Sequence, residues 1–141
     1  MNTDKIITIA LRTVELETSS VNGLKQFIDT HFVKAVETIA ASRGRLIVSG
    51  IGKSAIIAQK IVATLNSTGT PAVFMHAADA IHGDLGMIQA DDIILVISKS
   101  GNSPEIKVLA PLVKNFGNTL IGMVGNMQSF LALNSDIVLN T

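Results

Sequence analysis

The sequence predicts a doubly wound α/β fold: three layers on a five-stranded parallel sheet, preceded by two N-terminal helices. Two observations carry that expectation. Five short runs, at residues 46–48, 72–75, 93–97, 120–124 and 137–139, are apolar along their whole length instead of alternating, which marks strands covered on both faces. Between them lie segments whose apolar residues recur at helical spacing, so the strands run parallel and their crossovers are right-handed. The 141 residues are enough for one domain with its own core.

Taken in order, residues 4–18 put Ile7, Ala10, Leu11 and Val14 on one helical face, and residues 21–42 do the same with Leu24, Ile28, Phe32, Ala35, Val36 and Ile39. Both read as amphipathic helices. After Arg43-Gly44 the pattern changes to strands alternating with helices at 55–65 and 106–116, and with a short helical stretch at 130–133. Ser103 suits the N-cap of the 106–116 helix, with Pro104 at its first position, where the missing N–H costs nothing. Pro111 lies inside that helix, removes the hydrogen bond to the Lys107 carbonyl and is expected to bend it. The chain is thus one domain, 1–141, made of N-terminal helices (1–43) and a sheet core (44–141) in flavodoxin-like strand order. Such sheets bind ligands at the carboxyl ends of the strands, where the strand order reverses. The loops after Val48 and after Ile97 qualify.

Charge and composition exclude several classes. Eleven basic and eleven acidic residues cancel, and no Lys/Arg cluster with interleaved tyrosine and tryptophan marks a nucleic-acid surface. No apolar run approaches the roughly 18 residues that cross a bilayer. Cysteine is absent, which removes disulfides, thiolate metal sites and cysteine nucleophiles and fits a reducing compartment. Asp4 and Lys5 open a patterned helix instead of a secretion signal, so the expected location is the cytoplasm. With no net field, attraction to an anionic ligand has to be built locally.

The stretch 98–105, Ser-Lys-Ser-Gly-Asn-Ser-Pro-Glu, has the means to build it. A buried strand that ends in hydroxyls and a glycine just before a helix N-terminus brings backbone N–H groups, O–H donors and positive dipole together, and that combination holds a phosphate. Capping accounts for Ser103 but not for Ser98 and Ser100. Glu105, on the first helical turn, is placed to act on whatever carries the phosphate. The earlier loop, residues 49–54, reads Ser-Gly-Ile-Gly-Lys-Ser. It is not a nucleoside-triphosphate loop, because Ile47 stands where that motif needs glycine. It is not a dinucleotide fingerprint, because Ala55 stands at its third glycine. What remains is a glycine turn that lets backbone approach a ligand, with Lys53 and Ser54 on the first helical turn.

Ser98-x-Ser-Gly-x-Ser-x-Glu105, Gly50-Ile-Gly-Lys53-Ser54, Ser67-Thr-Gly-Thr-Pro71 and His82-Gly-Asp-Leu-Gly-Met87 together resemble the sugar isomerase (SIS) domain family, in particular its arabinose 5-phosphate isomerase branch. The likeness runs from about residue 44 to residue 141. It implies interconversion of ribulose 5-phosphate and arabinose 5-phosphate through an enediol, supplying the octulosonate sugar of lipopolysaccharide or capsule. It also implies a homo-oligomer, dimer or tetramer, and no required cofactor. Carried over residue by residue, it makes Ser98, Ser100, Gly101 and Ser103 phosphate ligands, with Gly52, Ser54, Gly69 and Thr70 in the substrate pocket. Lys53, Glu105 and His82 fall on catalytic positions, with Glu105 as the candidate base. His76 and His82 fall on substrate-contacting positions, and His76 is also where the family can take up an adventitious divalent metal.

The chain departs from the family in two ways. Lys99 stands where asparagine is common, adding a cation beside the serine loop. Family members also continue past the strand ending at Leu139 with a loop and a long helix that carry a further catalytic carboxylate and histidine. Ending on that strand is expected to leave one flank of the sheet without a covering helix. A second function is consistent with the same motifs: a non-catalytic phosphosugar-binding regulatory module, which needs the serine loop but not the acid and base.

Overall fold

The structure is a computed structural model that describes residues 2–141. Its sheet is parallel throughout, in the order β2-β1-β3-β4-β5, which is the flavodoxin-like order. The strands are β1 (Leu46–Gly50), β2 (Ala72–His76), β3 (Ile93–Ser98), β4 (Thr119–Val124) and β5 (Ile137–Asn140). Helix α3 (Lys53–Ser67) joins β1 to β2, and α5 (Pro104–Phe116) joins β3 to β4. Short helices α4 (Ala77–Ala80) and α6 (Phe130–Asn134) fill the two other connections, with a 3-10 turn at Asp84–Met87 after α4.

The alternation of side chains along each strand divides the core in two. Ile47, Ile94, Val96, Leu120 and Val124 pack with α4, α5 and α6 on one face, through Ala77, Ala80, Ile106, Leu109, Val113 and Leu131. Leu46, Val48, Ile93, Leu95 and Ile121 pack on the other face with Ala58 and Ile61 of α3 and with Ala35 and Ile39 of the second N-terminal helix. Burying a side chain of this kind stabilises the fold by about 1.5–3 kcal/mol. That explains why the runs are apolar throughout.

The N-terminal helices depart from their expected bounds. α1 spans Thr3–Gly23, capped by the Asn2 side chain, a 3-10 turn follows at Leu24–Phe27, and α2 is confined to Thr30–Ala41. Leu24 and Ile28 continue the helical period on paper, but Asp29 sets the true start of α2. Its carboxylate accepts from the His31 and Phe32 N–H groups at 2.8 and 3.1 Å, a stronger local signal than periodicity. α2 covers β5 on one face, placing Ala35 against Ile137 in the same cluster, so the expected bare flank is filled there. α1 buries no residue of its own. α5 runs unbroken from 104 to 116 despite Pro111.

At the amino edge of the sheet, polar groups close a dense network. Asp92, 2% exposed, accepts from the Arg45 N–H at 2.8 Å, from Arg45 Nη2 at 2.6 Å and from the Gln89 N–H at 2.9 Å. Asn118 Nδ2 donates to the carbonyls of Gln89 and Asp92, and Asp136 accepts from the Leu120 N–H at 2.8 Å and pairs with Lys114. Burial pushes both carboxyls up. Hydrogen bonds from the Arg45 side chain and from the Arg45 and Gln89 N–H groups outweigh it at Asp92, and those from the Leu120 N–H and Lys114 do so at Asp136, so both titrate below the ordinary 3.8.

Because the folded values lie below the unfolded ones, the stability these carboxylates contribute is complete above 3.8 and is lost as pH falls through the folded values. The melting temperature is therefore expected to drop on the acid side of about pH 4, less steeply in Arg45→Met. A thermal-melting series that stays level down to about pH 3 contradicts this.

Candidate functional site

β1 lies between β2 and β3. The chain leaves β1 into α3 on one face of the sheet and leaves β3 into α5 on the other, so the strand order reverses at the β1/β3 boundary. This is where a sheet of this kind opens a crevice at its carboxyl edge.

The serine loop closes the β3 side of that crevice. Ser98, 6% exposed, accepts from the Gly101 N–H through Oγ at 3.1 Å. Gly101 has φ +63°, and a Cβ on it would lie 2.1 Å from Ser129 Oγ and 2.5 Å from Ser129 Cβ. Only glycine serves there, for conformation and for space. The approach is tied down by the Leu131 N–H donating to the Gly101 carbonyl at 3.0 Å and the Phe130 N–H donating to Asn102 Oδ1 at 2.9 Å. Nothing in the spacing of the serines points to Ser129 or Asn102. The one available signal is a serine three residues after Asn126, where the chain turns into α6.

Ser103 occupies the N-cap of α5, yet its side chain caps nothing; its Oγ is buried and has no hydrogen-bond partner. The expected cap is therefore absent, and the hydroxyl remains available as a donor. Pro104 has no N–H to offer, so the uncapped donors of the first turn are those of Glu105 and Ile106. Ser100 is exposed and its Oγ receives the Asn102 N–H at 3.4 Å. Glu105 is half-buried on the first turn of α5.

A second uncapped helix start faces it from β1. Gly52, φ +58° and ψ −127°, is the N-cap of α3 and brings no side chain, in a conformation open to glycine. A Cβ on Gly50 would stand 3.0 Å from the Ser54 carbonyl carbon, so the first turn of α3 folds closely onto the strand end. Lys53, the first residue of α3, is exposed and Ser54 is half-buried. Two helix N-termini with positive dipole thus begin at the carboxyl edge on opposite faces of the sheet.

His76 ends β2 and pairs in register with Gly50, so it belongs to the same edge. Its Nδ1 is buried without a hydrogen bond, 3.7 Å from Asp79 Oδ2. No group of three or more His, Cys, Asp or Glu capable of holding a metal ion occurs among the described residues, and His76 with Asp79 falls short of a ligand set. The residues present do not fit a metal. His82 is exposed on the turn leaving α4, its N–H donating to the Asp79 carbonyl at 2.9 Å.

Gly69 and Thr70 do not join this site within the chain. α3, about 22 Å long at 1.5 Å per residue, carries the chain back across the sheet before β2 begins. The two residues sit on the turn entering β2, lining a cavity of about 420 Å³ with Ile39, Leu46 and Ile93 at the amino edge. Lys99 also turns away from the α5 head. A Cβ on Gly125 would lie 2.7 Å from Lys99 Cδ, Cε and Nζ, and Nζ donates to the Thr141 carbonyl at 3.2 Å.

Fold and site together define an α/β domain that offers an anion two helix starts and a hydroxyl-bearing turn at its switch point. A model of the SIS domain matches residues 38–141, and the chain belongs to that family. It is 49% identical over 131 residues to the arabinose 5-phosphate isomerase KdsD of Pseudomonas aeruginosa, covering 93% of this chain and 40% of that protein. It is 42% identical over 135 residues to the arabinose 5-phosphate isomerase KpsF of Escherichia coli O6:H1, covering 95% and 41%. The chain therefore spans about two fifths of the length of these curated relatives. A protein of Escherichia coli CFT073 solved in complex with arabinose 5-phosphate superposes with a TM-score of 0.89 at 35% identity, covering 99% of this chain and 74% of that one. No helix among the described residues is long and apolar enough to cross a membrane.

Proposed function

We propose that this domain is the isomerase module of a phosphosugar aldose–ketose isomerase that interconverts ribulose 5-phosphate and arabinose 5-phosphate, for octulosonate synthesis in lipopolysaccharide or capsule. The observation that carries this is the uncapped head of α5 with its unpartnered Ser103 hydroxyl, in a chain that superposes on a protein bound to arabinose 5-phosphate. In this reading the phosphate rests on the α5 head, held by Ser98, Ser100, Gly101 and Ser103, and the sugar extends toward Gly52, Lys53 and Ser54.

Aldose–ketose isomerisation takes a proton from the carbon bearing a hydroxyl beside the carbonyl and returns it to the carbonyl carbon, with an enediol between. A second proton moves between the two oxygens. The first transfer needs a base at carbon, and the charge gathering on oxygen needs a donor. Glu105, half-buried beside the anchor, is the base. Lys53 stabilises charge on the substrate oxygens, and His82 with His76 contacts hydroxyls. None of these steps calls for a redox cofactor or a metal.

The partner of this reading is a second copy of the chain, in a dimer or tetramer. Its support is α1, whose Ile7, Leu11 and Val14 are all exposed on one face, since a contiguous exposed apolar surface marks an interaction site. Light scattering is expected to give a multiple of the 14.9 kDa chain mass; the mass of a single chain would remove this part of the reading.

A coupled assay on ribulose 5-phosphate, with this chain and with a version extended to the length of the relatives, tests the activity. The extended protein is expected to turn over, and Glu105→Gln in it to lose on the order of 100-fold or more in kcat. Near-wild-type turnover in Glu105→Gln overturns the base assignment. Phosphosugar binding without turnover in either version replaces the enzyme by a regulatory binding module.

A further inference from the structure

Three buried side-chain polar atoms among the described residues lack a hydrogen-bond partner: Ser49 Oγ, His76 Nδ1 and Ser103 Oγ. All three lie toward the carboxyl edge of the sheet, two near the strand ends of β1 and β2 and one at the start of α5. At the amino edge, by contrast, Asp92 and Asn118 are each held by several hydrogen bonds. A buried polar group left unpaired costs about 1–3 kcal/mol, so its placement beside a crevice calls for a reason.

Ser103 and His76 fall on positions already assigned to substrate. Ser49 does not. It is fully buried, with 0% exposure, one residue before the end of β1 and in register with Met75 of β2 and Val96 of β3. Alternation puts it on the face of Ile47, the face that α5 covers. Ser98 shares that face with Ile94 and Val96. Ser103 stands one helical turn before Ile106, which is buried against the same face. Three serine hydroxyls therefore lie on one side of the sheet toward its carboxyl edge, and two of them are unpaired. A strand position otherwise filled by Leu46, Ile47 and Val48 gains nothing in packing from a hydroxyl.

We propose that Ser49 is a further binding residue of this site: its hydroxyl is unpaired in the free protein and gains a hydrogen bond when a phosphate occupies the head of α5. The proposal rests on the phosphosugar reading above and extends it to a residue buried just behind the end of β1. Ligand binding and the stability of β1 are then coupled, because occupation relieves the cost of burying the hydroxyl.

Ser49→Ala and Ser49→Cys test it, the second because cysteine keeps a single γ atom at that position while its S–H is a weak donor. Thermal melting without ligand is compared with titration by inorganic phosphate and by arabinose 5-phosphate. Ser49→Ala is expected to melt at or above the wild-type temperature without ligand, and both variants to bind phosphate and the sugar phosphate about 5- to 10-fold more weakly. Unchanged affinity in both variants, with the wild type binding normally, overturns the role of Ser49 and leaves the phosphosugar reading standing. So does a lower melting temperature of Ser49→Ala without ligand at unchanged affinity, which would mean that the hydroxyl serves the fold. Failure of the wild type to bind either ligand overturns the phosphosugar reading and this proposal together.

Discussion

Everything distinctive about this domain depends on two helices that begin without side-chain caps at the same edge of one sheet. α3 starts from Gly52 and α5 from a Ser103 whose hydroxyl bonds to nothing. A helix start leaves backbone N–H groups unsatisfied and carries the positive end of the dipole. Placing two of them on opposite faces of the β1/β3 boundary concentrates donors where the strand order reverses. The geometry holds only because Gly101 lets the serine loop touch Ser129 and the α6 backbone clamp it. A larger residue at 101 would push α5 off the strand end and open the anchor.

The two edges of the sheet are built to opposite rules. At the amino edge Arg45, Asp92, Asn118 and Asp136 satisfy one another and the incoming strands, which fixes the register from below. At the carboxyl edge glycine turns and unpaired hydroxyls leave bonding capacity unused. A chain of zero net charge has no long-range field to draw an anion, so in the proposed function this unused capacity is the attraction. The ion pairs serve stability, and in the proposed function the loops serve binding.

Much of the fold was legible. Runs with no alternation announced doubly covered strands, and the helical spacing between them announced parallel crossovers. Misreadings arose where a local cap overrode periodicity: Asp29 starts α2 although Leu24 and Ile28 continue the apolar period. At the end of β1, Ser49 and Gly50 read as loop because they are not apolar, yet both are strand. The serine loop reads as a candidate anion anchor because hydroxyls, glycine and a helix start coincide in a few residues. Gly69 and Thr70 were grouped with it through resemblance alone. In one dimension a turn after a helix looks like a turn after a strand, although within one chain they lie at opposite edges. Ser49 had no one-dimensional signal, since its meaning is a missing partner in three dimensions.

The central claim, that an anion is held at the head of α5, is tested most directly by titrating the ¹⁵N-labelled chain with inorganic phosphate and following the backbone amides. The account predicts saturable shifts concentrated in residues 98–106 and 50–54, with Gly69 and Thr70 unmoved. Shifts spread evenly over the surface, or absent from residues 98–106, would contradict it.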